Sequence, residues 1–188
     1  MRRANGFTLL EFIITASILA ILTAIAAAPT RNLVQRYRSE IKARELFEIL
    51  TLMRSHAYAK RRKYSLCPSS DSYNCGTDWA MGALLFEDKD ADGTRDQDER
   101  VERLYSGAEP GARLTWNGFN NQGYLIFNPD GTTPAQSGNF KYCPPGGDAK
   151  YGWIIVLNAI GRPYFGKDKD GDGIAETGGG ENLNCDYN

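Results

Sequence analysis

Acidic residues recur at alternate positions in the stretch Asp88–Glu99, with the spacing of a calcium-binding loop. The stretch reads DKDADGTRDQDE and fits the pattern D-x-D-x-D-G-x5-E without a mismatch. Side-chain oxygens at this spacing can surround one hard cation, and the glycine allows the sharp turn that the loop needs. The alternative for the same residues is an acidic, solvated hairpin loop without a metal ion. The expected ligands are Asp88, Asp90, Asp92, Thr94, Asp96 and Glu99.

A second acidic stretch, 168–179, repeats the first half of this pattern. Its twelfth position is Gly179, where the closing glutamate is expected, and Glu176 or Glu181 could close the loop instead. The sequence therefore predicts a weaker second site, and Ca²⁺ is the one cofactor that it indicates. The matching ligands are Asp168, Asp170 and Asp172.

Near the N-terminus a single carboxylate, Glu11, lies at the start of a long apolar run. No charged residue occurs from Phe12 to Thr30, about 19 residues, which as a helix can cross the roughly 30 Å hydrocarbon core of a membrane. Arg2 and Arg3 precede the run, so its N-terminal end should stay cytoplasmic. A secretory signal peptide also has a basic start and an apolar core, and AIAAAP could supply its cleavage site. A carboxylate at the edge of a membrane span usually marks a partner or a function, which favours a helix that is retained.

The start of the chain resembles the class III signal of type IV pilins and pseudopilins, through Gly6, Phe7, Thr8, Leu9, Leu10 and Glu11. The resemblance implies that a prepilin peptidase cuts between Gly6 and Phe7 and methylates the new amino group, while the apolar helix is kept. It also implies that Glu11 pairs with the Phe7 amino group of a neighbouring subunit, since a lone carboxylate in an apolar bundle needs a partner.

The same resemblance implies a location and a set of partners. The chain is expected to cross the inner membrane once with a periplasmic head, and then to enter a pilus filament at the cell surface. The implied partners are prepilin peptidase, an inner-membrane assembly platform, and other minor and major pilins contacted through the N-terminal helix.

The expected fold is α+β, with a long N-terminal helix packed on an antiparallel β-sheet head. We divide the chain into a leader, 1–6, a transmembrane and assembly helix, 7–30, a helix continuation, 31–63, and a β-rich head, 64–188. An apolar stripe at intervals near three and four is expected to pack on the head. Its members are Val34, Tyr37, Ile41, Leu46, Ile49, Leu50, Met53 and Ala57.

Apolar stretches separated by Pro-Gly, Asp-Gly and Asn-Gly signals predict the strands of the head. No linker is long enough to divide it into two domains. The predicted strands are 63–67, 79–86, 100–105, 112–117, 123–128, 139–143, 151–158 and 162–165.

All four cysteines lie beyond the apolar run, on the side of the membrane where disulfides form. Their spacing contains no paired CxxC motifs, which argues against zinc. Of the three possible pairings we predict Cys67–Cys75 and Cys143–Cys185, since each joins neighbours in the expected strand order.

The charge of the 188 residues is near balance, at −1, but it is unevenly distributed. Residues 31–63 carry ten Lys or Arg against three Glu, whereas the chain from Tyr64 onward has ten basic and nineteen acidic residues. The head, in 66–104 and again in 124–164, resembles minor pilins and pseudopilins of the pseudopilin-H class. The implied function is that of a minor pilin that initiates or caps a type IV pilus, in adhesion or twitching motility. A type II secretion pseudopilin is the alternative, and the paired cysteines and the large head favour the pilus.

Two other functions are less favoured by the sequence. DNA-binding pilins of natural transformation carry a basic Gly-Arg-x-Arg motif, of which this chain keeps Gly161 and Arg162 but has Tyr164 at the last position. Phosphate binding needs several cations, and this head is acidic, so DNA is a minor alternative. No catalytic constellation emerges: the single histidine, His56, is expected to be a packed or partly exposed residue of the helix, and we predict no enzyme.

Overall fold

One long helix carries the N-terminal part of the chain. The structure, a computed structural model, describes residues 7–120 and 122–186, without the side chains of 24–31. Helix α1 runs from Leu9 to Lys60 and passes through both compact units of the chain, Met1–Tyr37 and Arg38–Asn188. Among the described residues, no helix contains a stretch long and apolar enough to cross a membrane.

Two four-stranded antiparallel sheets follow the helix, in agreement with the predicted fold class. The first sheet has the order β3-β2-β1-β5 and the second the order β4-β6-β7-β8. The strands are β1 Tyr64–Pro68, β2 Ala83–Glu87, β3 Val101–Tyr105, β4 Arg113–Gly118, β5 Leu125–Phe127, β6 Gly138–Cys143, β7 Trp153–Leu157 and β8 Pro163–Phe165. Each predicted strand therefore has a counterpart.

One predicted strand begins later than its sequence suggested. Trp79–Met81 forms a turn of 3-10 helix, and β2 starts only at Ala83. The side chain of Asp78 accepts a hydrogen bond from the backbone N–H of Ala80 and so starts the turn. Gly82 has a φ of 137°, which ends the turn and separates it from the strand.

The core lies between the second half of α1 and the inner faces of both sheets. The helix contributes Ala43, Leu46, Ile49, Leu50, Met53 and Ala57, all buried. Alternate residues of the strands face them, for example Leu66 of β1 and Phe140 of β6. Burying a large apolar side chain contributes about 1.5–3 kcal/mol, so this face is the main reason for helix and sheets to stay together.

The apolar stripe of the helix was predicted too far towards the N-terminus. Val34, Tyr37 and Ile41 are 48%, 60% and 59% exposed, whereas buried positions begin at Ser39. The hydroxyl of Ser39 donates a hydrogen bond to the backbone oxygen of Tyr151. Periodicity shows that a helix face is apolar but not what covers it, so the stripe was correct only from Leu46 onward.

Candidate functional sites

The first turn of α1 is closed by a reciprocal pair of side chains. The backbone N–H and the hydroxyl of Thr8 donate to Oε2 of Glu11 at 3.1 and 3.0 Å. The backbone N–H of Glu11 donates to the Thr8 hydroxyl at 3.3 Å. This T-x-x-E arrangement is a capping box, with Thr8 as the N-cap residue. Sequence analysis assigned Glu11 a role in assembly and missed its role in capping, although the spacing is visible in the sequence.

Large apolar side chains follow this turn and are exposed in the isolated chain. Phe7 is 79% exposed, and neighbouring helix residues keep half or more of their surface exposed. Contiguous exposed apolar surface on this scale marks an interaction site. Gly6, the residue before the predicted cut, lies outside the described residues. The exposed residues are Leu9, Leu10, Phe12, Ile13, Ile14, Ile18, Leu19, Ile21 and Leu22.

The first acidic loop joins β2 to β3 and brings three carboxylates together. Ligand oxygens of Asp88, Asp90 and Glu99 all lie within 4.8 Å of one another. Asp88 and Glu99 are 1% and 2% exposed, which is unusual for carboxylates. Asp92 and Asp96, predicted as further ligands, are outside this group.

Backbone N–H groups fix the buried carboxylates of the first loop. The two oxygens of Asp88 accept hydrogen bonds from Ala91 and Gly93 at 2.6 and 3.0 Å, and the hydroxyl of Ser65 also donates to Asp88. Glu99 accepts from the backbone N–H groups of Lys89 and Asp96 at 2.7 and 3.0 Å. The loop is thus wrapped around its own buried carboxylates, which keeps these oxygens close together. The predicted ligand Thr94 donates its backbone N–H to Asp92 at 2.6 Å.

The second acidic loop, after β8, repeats this arrangement. Ligand oxygens of Asp168, Asp170 and Glu176 lie within 4.8 Å of one another. Asp168 accepts from the backbone N–H groups of Gly171 and Gly173 at 2.7 and 2.9 Å, as Asp88 does three and five residues along. The bond from Gly173 is the main cause that lowers the pKa of Asp168.

Glu176 takes the place of Glu99 in the second loop. It accepts from the backbone N–H of Lys169 at 2.9 Å, just as Glu99 accepts from Lys89. Of the two closing residues that the sequence left open, Glu176 joins the group and Glu181 does not. Asp172, a predicted ligand, also lies outside the group and accepts from Asn182 at 2.6 Å.

Both predicted disulfides are confirmed, and each lies beside one acidic loop. Cys67 is bonded to Cys75, and Cys143 to Cys185. Sγ of Cys75 accepts a hydrogen bond from the backbone N–H of Arg95, inside the first loop. The second disulfide closes a separation of 42 residues and ties down the C-terminal segment that carries Asn182.

Arg162 and His56 are found in different settings. Arg162, just before β8, is exposed and lines a groove together with Arg54, a residue that sequence analysis did not identify. His56 packs edge-on against the ring of Tyr64, with ring centroids 5.6 Å apart. The predicted packed histidine is therefore confirmed.

Two family models match the chain. Residues 42–161 match a family model described as type II transport protein GspH, and residues 1–27 match the prokaryotic N-terminal methylation motif. No curated protein is similar enough to count as a match.

Among solved structures, the type IV minor pilin FimU of Pseudomonas aeruginosa superposes with a TM-score of 0.57 and 22% identity. The similarity covers 72% of this chain and 92% of FimU. The minor pseudopilin EpsH from the type II secretion system of Vibrio cholerae gives a TM-score of 0.50 and 11% identity, covering 71% of this chain and 99% of EpsH. At sequence identities this low, the superpositions establish a shared fold and nothing more.

Proposed function

Because this chain belongs to the GspH family, we propose that it is a minor pilin that helps to initiate or cap a type IV pilus, with a structural role in adhesion or twitching motility. The observation that carries this proposal is the N-terminal turn: a carboxylate, Glu11, lies one turn after the exposed Phe7, on a helix whose apolar side chains are uncovered. Such a surface needs either a membrane or a bundle of similar helices around it.

Processing at the N-terminus would create the partner that Glu11 needs. Cleavage between Gly6 and Phe7 by a prepilin peptidase, with methylation, leaves a cationic amine on Phe7. Both hydrogen bonds from Thr8 end on Oε2 of Glu11, and no hydrogen bond from the described residues ends on Oε1. In our proposal Oε1 accepts a hydrogen bond from the charged Phe7 amine of a neighbouring subunit, while Oε2 continues to accept the capping bonds from Thr8.

We propose that the subunit is assembled in two stages. It first lies in the inner membrane with its head in the periplasm, where both disulfides can form. The assembly platform then moves the helix into a bundle with other minor and major pilins. Glu11 supports this transfer because an ion pair with the Phe7 amine offsets part of the cost of enclosing a carboxylate in an apolar helix bundle.

A type II secretion pseudopilin is the alternative within the same family. Two disulfides and a large head support the pilus. Deletion of the gene in the host, with counts of surface pili and assays of type II secretion, separates the two. Loss of pili with normal secretion is the expected result, and loss of secretion with normal pili would assign the chain to the secretion system.

DNA binding is a second candidate, favoured by one observation: Arg162 is joined by Arg54 in the same groove. Phosphate contacts need several cations, and the head carries nineteen acidic against ten basic residues from Tyr64 onward. A gel shift with the protein tests it directly. Tight, salt-sensitive binding that is lost in Arg162→Ala would raise this candidate above the structural role.

We further propose that the two acidic loops bind Ca²⁺, with the first as the stronger site. The donor set fits a hard cation, since it consists of carboxylate oxygens that lie within 4.8 Å of one another and are fixed by backbone hydrogen bonds. The two loops share their main backbone hydrogen bonds, which supports a shared purpose: Asp88 corresponds to Asp168 and Glu99 to Glu176. An ion would relieve the repulsion among carboxylates that a solvated loop has no need to bring together.

A further inference from the structure

A groove on the head, which we call the arginine groove, combines cationic and aromatic walls. One wall is a face of α1 with Phe47, Arg54 and Tyr58, and the other consists of the turn at Asp130 and of Arg162, the residue just before β8. Its volume is about 510 Å³, within the range of ligand-binding clefts. None of these residues belongs to the N-terminal turn or to the acidic loops.

Two glycine turns build the outer wall of the arginine groove. Gly131 and Gly161 have φ values of 77° and 73°, which favour glycine. A Cβ atom on Gly161 would lie 2.2 Å from the backbone oxygen of Gly131, so the turns pack backbone against backbone. This contact places Asp130 and Arg162 at one mouth. The wall is therefore set by the fold and not by chance orientation of surface side chains.

The two guanidinium groups retain donors for a ligand. Nε of Arg54 donates to the backbone oxygen of Gly131 at 3.2 Å. This bond orients the guanidinium group and leaves its terminal nitrogens to donate to a ligand. Among the described residues, no hydrogen bond or ion pair involves the guanidinium of Arg162. Asp130 uses Oδ1 to accept from Thr132 and makes no ion pair with either arginine. Two arginines in this state suit a carboxylate, which can accept paired N–H bonds.

Aromatic rings lie at both ends of the arginine groove. Phe47 stacks on Phe165 with ring centroids 4.8 Å apart, and Tyr58, 58% exposed, lies under the guanidinium of Arg61. The eleven-residue separation of Phe47 and Tyr58 along α1 corresponds to about 16 Å. An extended peptide covers this distance with about five residues. The groove thus offers aromatic contacts at its ends and cationic contacts at its centre, with a further guanidinium, that of Arg61, on the Tyr58 ring.

From this pattern we propose that the arginine groove binds an extended peptide segment of a partner protein, in which a single acidic residue lies between apolar ones. The carboxylate of the segment lies between Arg54 and Arg162, and its apolar side chains contact Phe47 and Tyr58. Oδ2 of Asp130 accepts a backbone N–H from the segment. The proposal does not depend on assembly into a filament.

Asp130 distinguishes a peptide from a nucleic acid as the occupant. A phosphate backbone offers no donor to this carboxylate and is repelled by it, whereas a peptide supplies an N–H group at every residue. Hydrogen bonds from Thr132 lower the pKa of Asp130, so it stays charged at neutral pH. The acidic head around the groove adds to the repulsion of a polyanion but permits one carboxylate that is paired with two arginines.

Matched pentapeptide pairs on an array test this proposal. Each pair has Leu, Phe or Tyr at both ends and either Glu or Gln at the centre, and the full-length protein in detergent micelles is the probe. We expect binding by Glu members at least about tenfold above their Gln partners, and its loss in Arg162→Gln. Arg103→Gln, which removes an exposed guanidinium from β3, is the matched control and should bind as the parent does. Thermal melting of each variant verifies that it is folded.

Three outcomes would overturn the proposal. Equal binding of the Glu and Gln peptides would show that the groove does not recognise the carboxylate. Equal loss in Arg162→Gln and Arg103→Gln would reduce the effect to overall charge. Displacement of bound peptide by a single-stranded oligonucleotide, with tighter binding of the oligonucleotide that is lost in Arg162→Gln, would assign the groove to nucleic acid.

Discussion

Thr8 and Glu11 bond each other in both directions across the first turn of α1, the Thr8 hydroxyl accepting from the Glu11 backbone and donating to the Glu11 carboxylate. The same carboxylate therefore has a local role in capping and a proposed role in docking. A capping box needs Glu or Gln at its third helical position, whereas an ion pair needs the charge. The two roles can thus be separated by substitution.

We predict that Glu11→Gln lowers incorporation into filaments while Thr8→Ala has a small effect. Gln retains the capping geometry but loses the charge pair with the Phe7 amine, and Ala loses a cap worth about 1 kcal/mol but keeps the charge. Immunoblots of sheared filaments, compared with membrane fractions, measure the effect. Membrane insertion and processing at Gly6 should be normal in both variants. Equal incorporation of Glu11→Gln and the parent would refute the docking role.

Millimolar calcium should raise the melting temperature of the protein. Extracellular calcium modules bind in the range of about 10⁻⁴ to 10⁻³ M, and at ten times the dissociation constant the folded state gains about 1.4 kcal/mol. Asp88→Ala with Asp90→Ala should reduce the shift more than Asp168→Ala with Asp170→Ala. Asp98→Ala is the control, because Asp98 is exposed and pairs with Lys89.

Calorimetric scans with calcium and with a chelator decide between the loops. A shift that shrinks only in the second double variant would reverse the order of the two sites. No shift in the parent protein would leave both loops as solvated hairpins.

Removal of the second disulfide should affect the second acidic loop more than the first. Cys143→Ser with Cys185→Ser frees the segment that donates from Asn182 to Asp172. Loss of a link across 42 residues should lower the free energy of unfolding by about 4 kcal/mol. Urea unfolding measures this loss of stability. The effect on the second loop is measured by adding Asp88→Ala and Asp90→Ala to the disulfide variant, since the calcium-induced melting shift that remains then comes from the second loop. An unchanged response there would show that the disulfide does not organise the loop.

Acid should loosen the loop closed by Cys67 and Cys75. Asp71 in this loop accepts from the backbone N–H groups of Asn74 and Tyr73 at 2.7 and 2.8 Å, and these bonds hold its pKa well below the usual range. Because the folded pKa is depressed, the stabilisation is present above the unfolded value of about 4 and is lost as pH falls towards the folded pKa.

Asp71→Asn is the variant that tests this pH dependence. It should be less stable than the parent at pH 7, and the difference should shrink in strong acid. Hydrogen exchange of the Tyr73 and Asn74 amides at both pH values measures the effect locally. If Asp71→Asn and the parent differed in amide exchange by the same amount at pH 7 and in strong acid, the charge on the Asp71 carboxylate would be excluded as the cause.

The sequence predicted those features that depend on local pattern. Strand positions followed from apolar stretches between turn residues, and both disulfides from neighbouring strands. The helix stripe failed at Val34, Tyr37 and Ile41, because periodicity does not show where a sheet covers a helix. For the residue that closes the second acidic loop, the sequence left Glu176 and Glu181 open. The path of the chain after Asp172 decides which of these glutamates reaches Asp168 and Asp170.

The arginine groove could not be predicted at all from local pattern. Arg54 and Arg162 are far apart in the chain and meet only because Gly131 and Gly161 bring two turns into backbone contact. Gly161 stands out in the sequence only through its partial Gly-Arg-x-Arg match, and Gly131 is not distinguishable from a glycine in any ordinary turn. Sites built by packing between turns need the tertiary structure.

Mass spectrometry of the mature N-terminus in sheared filaments tests the central claim most directly. The minor pilin assignment predicts a terminal peptide that begins with N-methylated Phe7 and includes Glu11, recovered from filaments together with the major pilin. A chain that begins after the apolar run, near Pro29, and is found only as a released head would contradict the assignment. Such a chain would mean that the helix is a signal peptide, discarded before Glu11 could dock with any subunit.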